Sequence, residues 1–501
     1  MVADVEEPLV EARCPERRAD RRAIGRPVAG EACDVDHGKC RRRHIRRFQG
    51  RAHGETLSAR DGAAPDAQND STYRESRSTA DQPIVSCSRP VNRRMMRLPA
   101  TNKGIAMDAR PVSTPSGSAS TAPKLPGQVV LVLQGGGALG AYQGGIYEAL
   151  HEAGIEPNWV IGTSIGAINA GIIAGNAPDK RADRLREFWA LMEYKPWWED
   201  APFLAPWLVN TKMLADFTNE AAHMMALFGG VPGYYAPNKA LAWGAKAPLG
   251  VERAALYTTG ELDKTMTALT DPTWFNSGKP RLTVGTVNVK SGRMQYWDSA
   301  RMPLSLTHVL ASTALPPAFP AVLIDGEPYW DGGIYSNTPI EAVFDDNPRR
   351  NSIVFADQVW HTSGPEPQSL EDVLSRQKDI QFASRDDSHI ARQQQLHQLR
   401  HVVRELVKMV PEDQRDRPEV KELAAWGCGT FMHIVQLNAP YVAGEGNTRD
   451  VDFTRPGIRV RWKAGHDDTA RALEKRPWDA EVDETVGVAI HHIEPQVLGN
   501  L

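Results

Sequence analysis

In Val129-Val130-Leu131-Val132-Leu133-Gln134-Gly135-Gly136-Gly137-Ala138-Leu139-Gly140, a wholly apolar run from Val129 to Leu133 gives way to a cluster of glycines. A short continuous apolar run bounded by a turn signal predicts a strand buried on both faces, as in a parallel sheet. Behind it, Gly140–Ala153 spaces Ile146, Leu150 and Ala153 for a helix, and Gly154 stops that helix. Asn158-Trp159-Val160-Ile161 predicts the next strand, and Ala167–Ala174 a helix of small residues. Strand, helix, strand and helix in so short a stretch predict an α/β fold with right-handed crossovers.

Further along the chain, Arg281–Val289 and Arg293–Asp298 predict two strands joined through Lys290-Ser291-Gly292. Leu304–Thr313 predicts a helix that Pro316-Pro317 ends. Val322–Ile324 and Pro328–Trp330 flank Asp325-Gly326, a hairpin turn, and Ser352–Ala356 predicts a last apolar strand. From 366 to 410 the pattern is helical. There Leu396, Leu399, Val403, Leu406 and Val410 make a narrow apolar stripe, expected to pack on the parent domain. Past 430, His433–Leu437 predicts a strand, and the charged segment after it has no legible role.

Three regions follow. Residues 1–125 are rich in Arg, Asp, Ala, Ser and Pro, with runs such as Arg41-Arg42-Arg43 and no apolar periodicity. Such a segment cannot bury enough surface to offset its chain entropy, so a disordered, solvated basic tail is expected. The contrast also makes Met95 or Met107 a candidate start, with the stretch upstream not made naturally. Residues 126–360 form the α/β domain, and 361–501 a mostly helical C-terminal extension. The domain carries an insert at 195–250 rich in aromatic residues and methionine, including Trp197, Trp198, Trp207, Met213 and Phe228. It reads as helices packed on the core, which can at the same time form a cap or acyl-chain-binding surface.

Bulk properties narrow the function. A net charge of -4 over 501 residues argues against a nucleic-acid partner. No apolar run of about 18 residues is present to span a bilayer. The acidic start lacks the apolar region of a secretory signal. Cys14, Cys33, Cys40, Cys87 and Cys428 make no disulfide framework, and Cys33, Cys40, His37 and His44 fit no standard metal spacing. The cytoplasm is the expected compartment.

Three short motifs carry the chemistry. Gly162-Thr163-Ser164-Ile165-Gly166 lies where a strand must turn sharply into a helix. Glycine on both sides of the serine lets a strained backbone turn there, which exposes the hydroxyl at a helix N-terminus. Gly135-Gly136-Gly137-Ala138-Leu139-Gly140 can converge backbone N–H groups on one point, as an oxyanion site requires. The same glycines also fit a dinucleotide fingerprint. That fingerprint needs an acidic residue closing the second strand, whereas Glu156 precedes that strand and the strand runs directly into Gly162. Asp331-Gly332-Gly333 places a carboxylate on a tight loop from which it can reach a serine hydroxyl and act as its base.

With these motifs in this order, the chain resembles the patatin-like phospholipase family from about Val129 to about Val359. Ala311-Ser312-Thr313-Ala314-Leu315-Pro316-Pro317 and Ile334-Tyr335-Ser336-Asn337-Thr338-Pro339 resemble it too. The resemblance implies a three-layer α/β/α domain with a mainly parallel sheet. It implies Ser164 as nucleophile and Asp331 as base without a histidine. Backbone N–H groups among Gly135, Gly136 and Gly137 would hold the oxyanion, and no metal or organic cofactor would be needed. Gly140, Gly162, Gly166, Gly332 and Gly333 complete the motifs. The family commonly has Arg or Lys where this chain has Leu139, which removes a reason to expect preference for an anionic head group. The part from about 361 onward resembles the extension of a bacterial subgroup.

The implied activity is hydrolysis of carboxylic esters in lipids or other hydrophobic substrates, with peripheral membrane contact. Three alternatives stay open. One is a Ser-His-Asp hydrolase using His361 or His433. Another is a non-catalytic lipid-binding or scaffolding relative. The last keeps the Ser-Asp pair for polyester, thioester or acyl-transfer chemistry. Oligomeric state is not legible.

Overall fold

In the computed structural model, which describes residues 125–194, 226, 228–441, 446–481, 483, 486–493 and 495, the opening apolar run lies inside a nine-stranded sheet. It forms β1 (Gln128–Leu133), with β2 (Trp159–Gly162) parallel on one side and β7 (Ser352–Gln358) parallel on the other. Next to β2 runs β3 (Arg281–Asn288), also parallel. Its antiparallel partners are β4 (Met294–Asp298) and β6 (Glu327–Asp331), and β6 pairs in turn with β5 (Val322–Ile324). Beyond β7 the sheet continues, again parallel, with β8 (Met432–Asn438) and β9 (Val488–Ile493).

Residues 130–133 are wholly buried because each face of β1 meets its own core. Leu131 and Leu133 pack in one cluster with Ile146, Leu150 and Ile168, and Val130 and Val132 in another with Val343, Phe344 and Ile390. This is the expected α/β/α sandwich. The first layer contains α1 (Ala141–Glu152), α2 (Ile165–Ala174), α3 (Arg181–Leu191), α4 (Gly260–Leu269) and α5 (Leu306–Ser312). The C-terminal region adds the 40-residue α6 (Leu370–Met409) and α7 (Arg455–Lys475). No helix among the described residues is long and apolar enough to cross a membrane.

Two expectations need correction. Ser352–Ala356 is not the last strand, since β8 and β9 follow it in the same sheet. His433–Leu437 signalled β8, but β9 mixes His491 and His492 into its apolar residues and gives no clean pattern. The apolar stripe of α6 is also not the face that packs. Leu399 and Leu406 are 60% and 56% exposed, whereas Ala383, Ile390, His397 and His401 are buried. Histidines occupy core positions there, so counting aliphatic residues selected the wrong face. The tail at 1–124 and the insert residues 195–225 and 227 lie outside the described residues; Phe228 of the insert is exposed.

Helices α1 and α7 cross at backbone distance. A Cβ on Gly145 would stand 1.9 Å from the Trp462 carbonyl oxygen, and one on Gly465 would stand 1.9 Å from that of Tyr142. The Tyr142 hydroxyl donates to Asp468 Oδ2 at 2.7 Å across this crossing. Gly145→Ala is therefore expected to destabilise the fold by about 1–3 kcal/mol through overpacking, measured as a lower urea midpoint. An unchanged midpoint would mean that the two helices separate without cost.

Candidate active site

Strand β2 ends at Gly162 and α2 begins at Ile165, so two residues reverse the chain. Ser164 takes the strain, at φ 58° and ψ -127°, a conformation costing on the order of 1–3 kcal/mol for a residue with a Cβ. Its surroundings leave it no alternative. A Cβ on Gly162 would lie 2.2 Å from the Gly166 carbonyl oxygen, and one on Gly166 would lie 2.2 Å from that of Leu133. The Ser164 N–H donates to the Ser312 carbonyl at 3.0 Å, and the Ser312 hydroxyl donates to the Gly285 carbonyl at 2.6 Å. The serine is half-buried at the N-terminus of α2, where the helix dipole favours negative charge.

Strand β6 delivers Asp331 to the same place. Its N–H donates to the Ala314 carbonyl at 3.0 Å, and its side chain is completely buried. Oδ1 accepts from the Gly333 N–H at 2.7 Å, while Oδ2 has no hydrogen-bond partner among the described residues. Burial pushes the carboxyl up to about 7, against the Ser164 hydroxyl and the Gly333 N–H, which both favour its ionised form. The Ser164 hydroxyl is thus near enough to favour the ionised carboxylate. Gly332 passes close to β3, where a Cβ would meet the Gly285 carbonyl oxygen at 2.6 Å.

The glycine loop is held from below. Gln134 accepts from the Val359 N–H at 2.7 Å and donates to the Thr338 hydroxyl at 2.8 Å; its own N–H donates to Asp357 at 2.9 Å. The Gly135 carbonyl accepts from Trp360 Nε1 at 2.7 Å and from Asn337 Nδ2 at 3.0 Å. Because the Gly135 N–H donates to the Asn337 carbonyl at 3.2 Å, it is not available to an oxyanion. The N–H groups of Gly136 and Gly137 have no partner among the described residues. Gly137 has φ 56°, and a Cβ there would lie 2.3 Å from the Asp450 carbonyl oxygen. Leu139 is buried beside Tyr142, Val460 and Ala464, so in this chain an apolar residue suits the position usually cationic in the family.

Gly135, Gly136, Gly137, Ser164, Asp331 and Gly333 all border one cavity of about 560 Å³. Tyr234, Tyr257, Phe319 and Phe382 give it aromatic walls, and Asp450, Val451 and Phe453 reach it from the C-terminal region. Lys378 also borders it, but its ammonium is paired with Asp450 Oδ1 at 2.7 Å. No histidine among the described residues lines this cavity. His361 instead stacks on Tyr441, and His433 meets His491 across β8 and β9 at 3.1 Å. The sequence reading missed Gln134, Trp360, Asp450 and Phe453. The only local hint was Trp360 next to a strand end.

A family model described as patatin-like phospholipase matches residues 131–344, and one described as patatin phospholipase matches 380–485. The chain belongs to the patatin-like phospholipase family, a family of lipid hydrolases. Among solved structures it is similar to VipD from Legionella pneumophila, with 15% identity over 70% of this chain and 67% of that one, at a TM-score of 0.32. It is also similar to ExoU from Pseudomonas aeruginosa, in complex with SpcU. That likeness has 15% identity over 72% of this chain and 76% of that one, with a TM-score of 0.22. No curated protein sequence matches the chain.

Trp360→Phe keeps the aromatic wall and removes one of the two side-chain donors to Gly135. Ester turnover is expected to fall about tenfold, with little change in Tm. Full turnover in this variant would show that Asn337 alone holds the loop.

Proposed function

We propose that the protein is a serine acyl hydrolase that cleaves carboxylic esters of lipids through Ser164 and Asp331. The observation that carries this reading is the wholly buried Asp331, with a free Oδ2, in the same cavity as a serine strained at an elbow. Asp331 draws the proton from the Ser164 hydroxyl as Oγ attacks the acyl carbonyl carbon. The negative charge moves to the carbonyl oxygen, where the Gly136 and Gly137 N–H groups and the N-terminus of α2 stabilise it. Collapse breaks the ester bond, and the leaving alkoxide takes the proton from Asp331. Water then attacks the acyl-enzyme and passes a proton to Asp331, which hands it to Ser164 Oγ as the bond to the fatty acid breaks.

The aromatic walls suit an acyl chain, and Leu256, 45% exposed at the cavity, offers apolar surface to a peripheral lipid layer. With Leu139 buried and Lys378 paired to Asp450, no free cation among the described cavity residues selects an anionic head group. The substrate reading is therefore acyl-directed: neutral and zwitterionic glycerolipids are expected to be cleaved as readily as anionic ones.

Ser164→Ala and Asp331→Asn should each lower hydrolysis of a p-nitrophenyl ester and of a phospholipid by about 10²–10⁴-fold or more, and Ser164→Ala should abolish fluorophosphonate labelling. Retained activity in Asp331→Asn, with loss in His361→Ala, would make the reaction a histidine-based one. A folded protein inactive on both substrates and unlabelled would be a lipid-binding relative.

The base must be ionised to act, so kcat/KM should rise with pH along a single limb near pH 7 and fall about tenfold per unit well below it. Burial pushes Asp357, under the loop, up to about 7 as well. In Asp357→Asn the limb should persist; its disappearance would assign the titration to Asp357.

A further inference from the structure

Away from this cavity, α6 turns two histidines into the core, and a buried cysteine comes to meet them. His397 and His401 stand one helical turn apart, the spacing that puts two imidazoles on one face. Cys428 lies on the turn into β8, and its N–H donates to the Arg400 carbonyl at 3.1 Å, which fastens that turn to α6. One ring nitrogen from each histidine and the Cys428 sulfur all lie within 4.8 Å of one another. The three residues are 0%, 1% and 8% exposed. None of them lines the Ser164 cavity.

We propose that His397, His401 and Cys428 form a structural zinc site that ties α6 to the C-terminal strands of the sheet. One thiolate and two imidazoles are a donor set that zinc takes in tetrahedral geometry. The surrounding groups suit it. Nε2 of His397 lies 2.8 Å from the Thr430 carbonyl oxygen, and Nε2 of His401 lies 2.9 Å from the same oxygen. A carbonyl only accepts, so each Nε2 carries a proton in this arrangement, which leaves Nδ1 of His397 as an acceptor. Fixing the far nitrogen on a backbone carbonyl is how metal-bound histidines are usually held. His397 Nδ1 is fully buried and has no partner among the described residues, a cost that a metal bond removes. The Thr430 hydroxyl lies 3.0 Å from the Cys428 sulfur, within reach to donate to a thiolate.

Charge and packing agree. Arg400 and Arg349 are charged neighbours of His397. The two arginines would oppose a bare dication, and the thiolate cancels one of its charges. Gly487, at φ 68° just before β9, faces the His401 ring so closely that a Cβ would come within 2.4 Å of Nε2. The site therefore joins α6, the turn into β8 and the entry to β9. Water completes the fourth position.

The test uses the full chain purified without chelators. Elemental analysis is expected to give one zinc per chain. After chelation, Tm should fall and recover with one equivalent of Zn²⁺. Titrating the stripped protein with Co²⁺ should give tetrahedral visible bands and a thiolate charge-transfer band in the near ultraviolet. Cys428→Ser should lose the charge-transfer band, and His397→Gln should lower metal stoichiometry. If the variants do not fold, the wild-type cobalt spectrum decides alone. A metal-free protein that gives no cobalt spectrum would overturn the proposal, as would a charge-transfer band that survives in Cys428→Ser. One copper per chain in place of zinc would overturn the choice of metal.

Discussion

A serine at φ 58° is tolerable only while nothing near it has room to relax. Gly162 lies against the Gly166 carbonyl, and Gly166 lies against the Leu133 carbonyl at the end of β1. The strain is therefore supported by the middle of the sheet, where β1 and β2 pair from Val130–Trp159 to Leu133–Gly162. Everything that reaches the serine is arranged around this fixed point. The glycine loop leaves β1 in register with it, and Asp331 arrives on β6 through its pairing with Thr286 of β3.

The same arrangement sets the electrostatics. A wholly buried carboxyl with one backbone donor is reluctant to ionise, which places its titration near neutrality rather than in the usual carboxylate range. A base with that property is strong enough to draw a proton from a serine and weak enough to return it to a leaving alkoxide. Family membership supports lipid hydrolysis. The aromatic cavity and the absence of a free cation along its described wall support a reading in which the acyl chain, more than the head group, is recognised.

The elbow, the glycine loop and the base loop were legible because each needs glycine for a local reason, and glycine at close backbone approaches leaves a mark in the sequence. The strands were legible for the same kind of reason, as both faces of β1 are buried. What escaped was made of long-range contacts. Trp360 and Asn337 meet Gly135 from more than 200 residues away, and neither a tryptophan at a strand end nor an asparagine in a family-like stretch says that its partner is Gly135. The faces of α6 were misassigned because its buried stripe includes His397 and His401, which hydrophobic periodicity does not count. The region after 430 read as a charged segment, yet its Asp450, Val451 and Phe453 wall the cavity.

That last feature bears on how the chain is made. Ser164 and Asp331 leave the ribosome first. The wall supplied by Asp450, Val451 and Phe453, the Asp450 carbonyl against Gly137, and the seat of α7 on α1 arrive only after them. A nascent chain therefore holds both side chains before the cavity around them exists, and the pocket is assembled only when these later residues fold back onto the sheet.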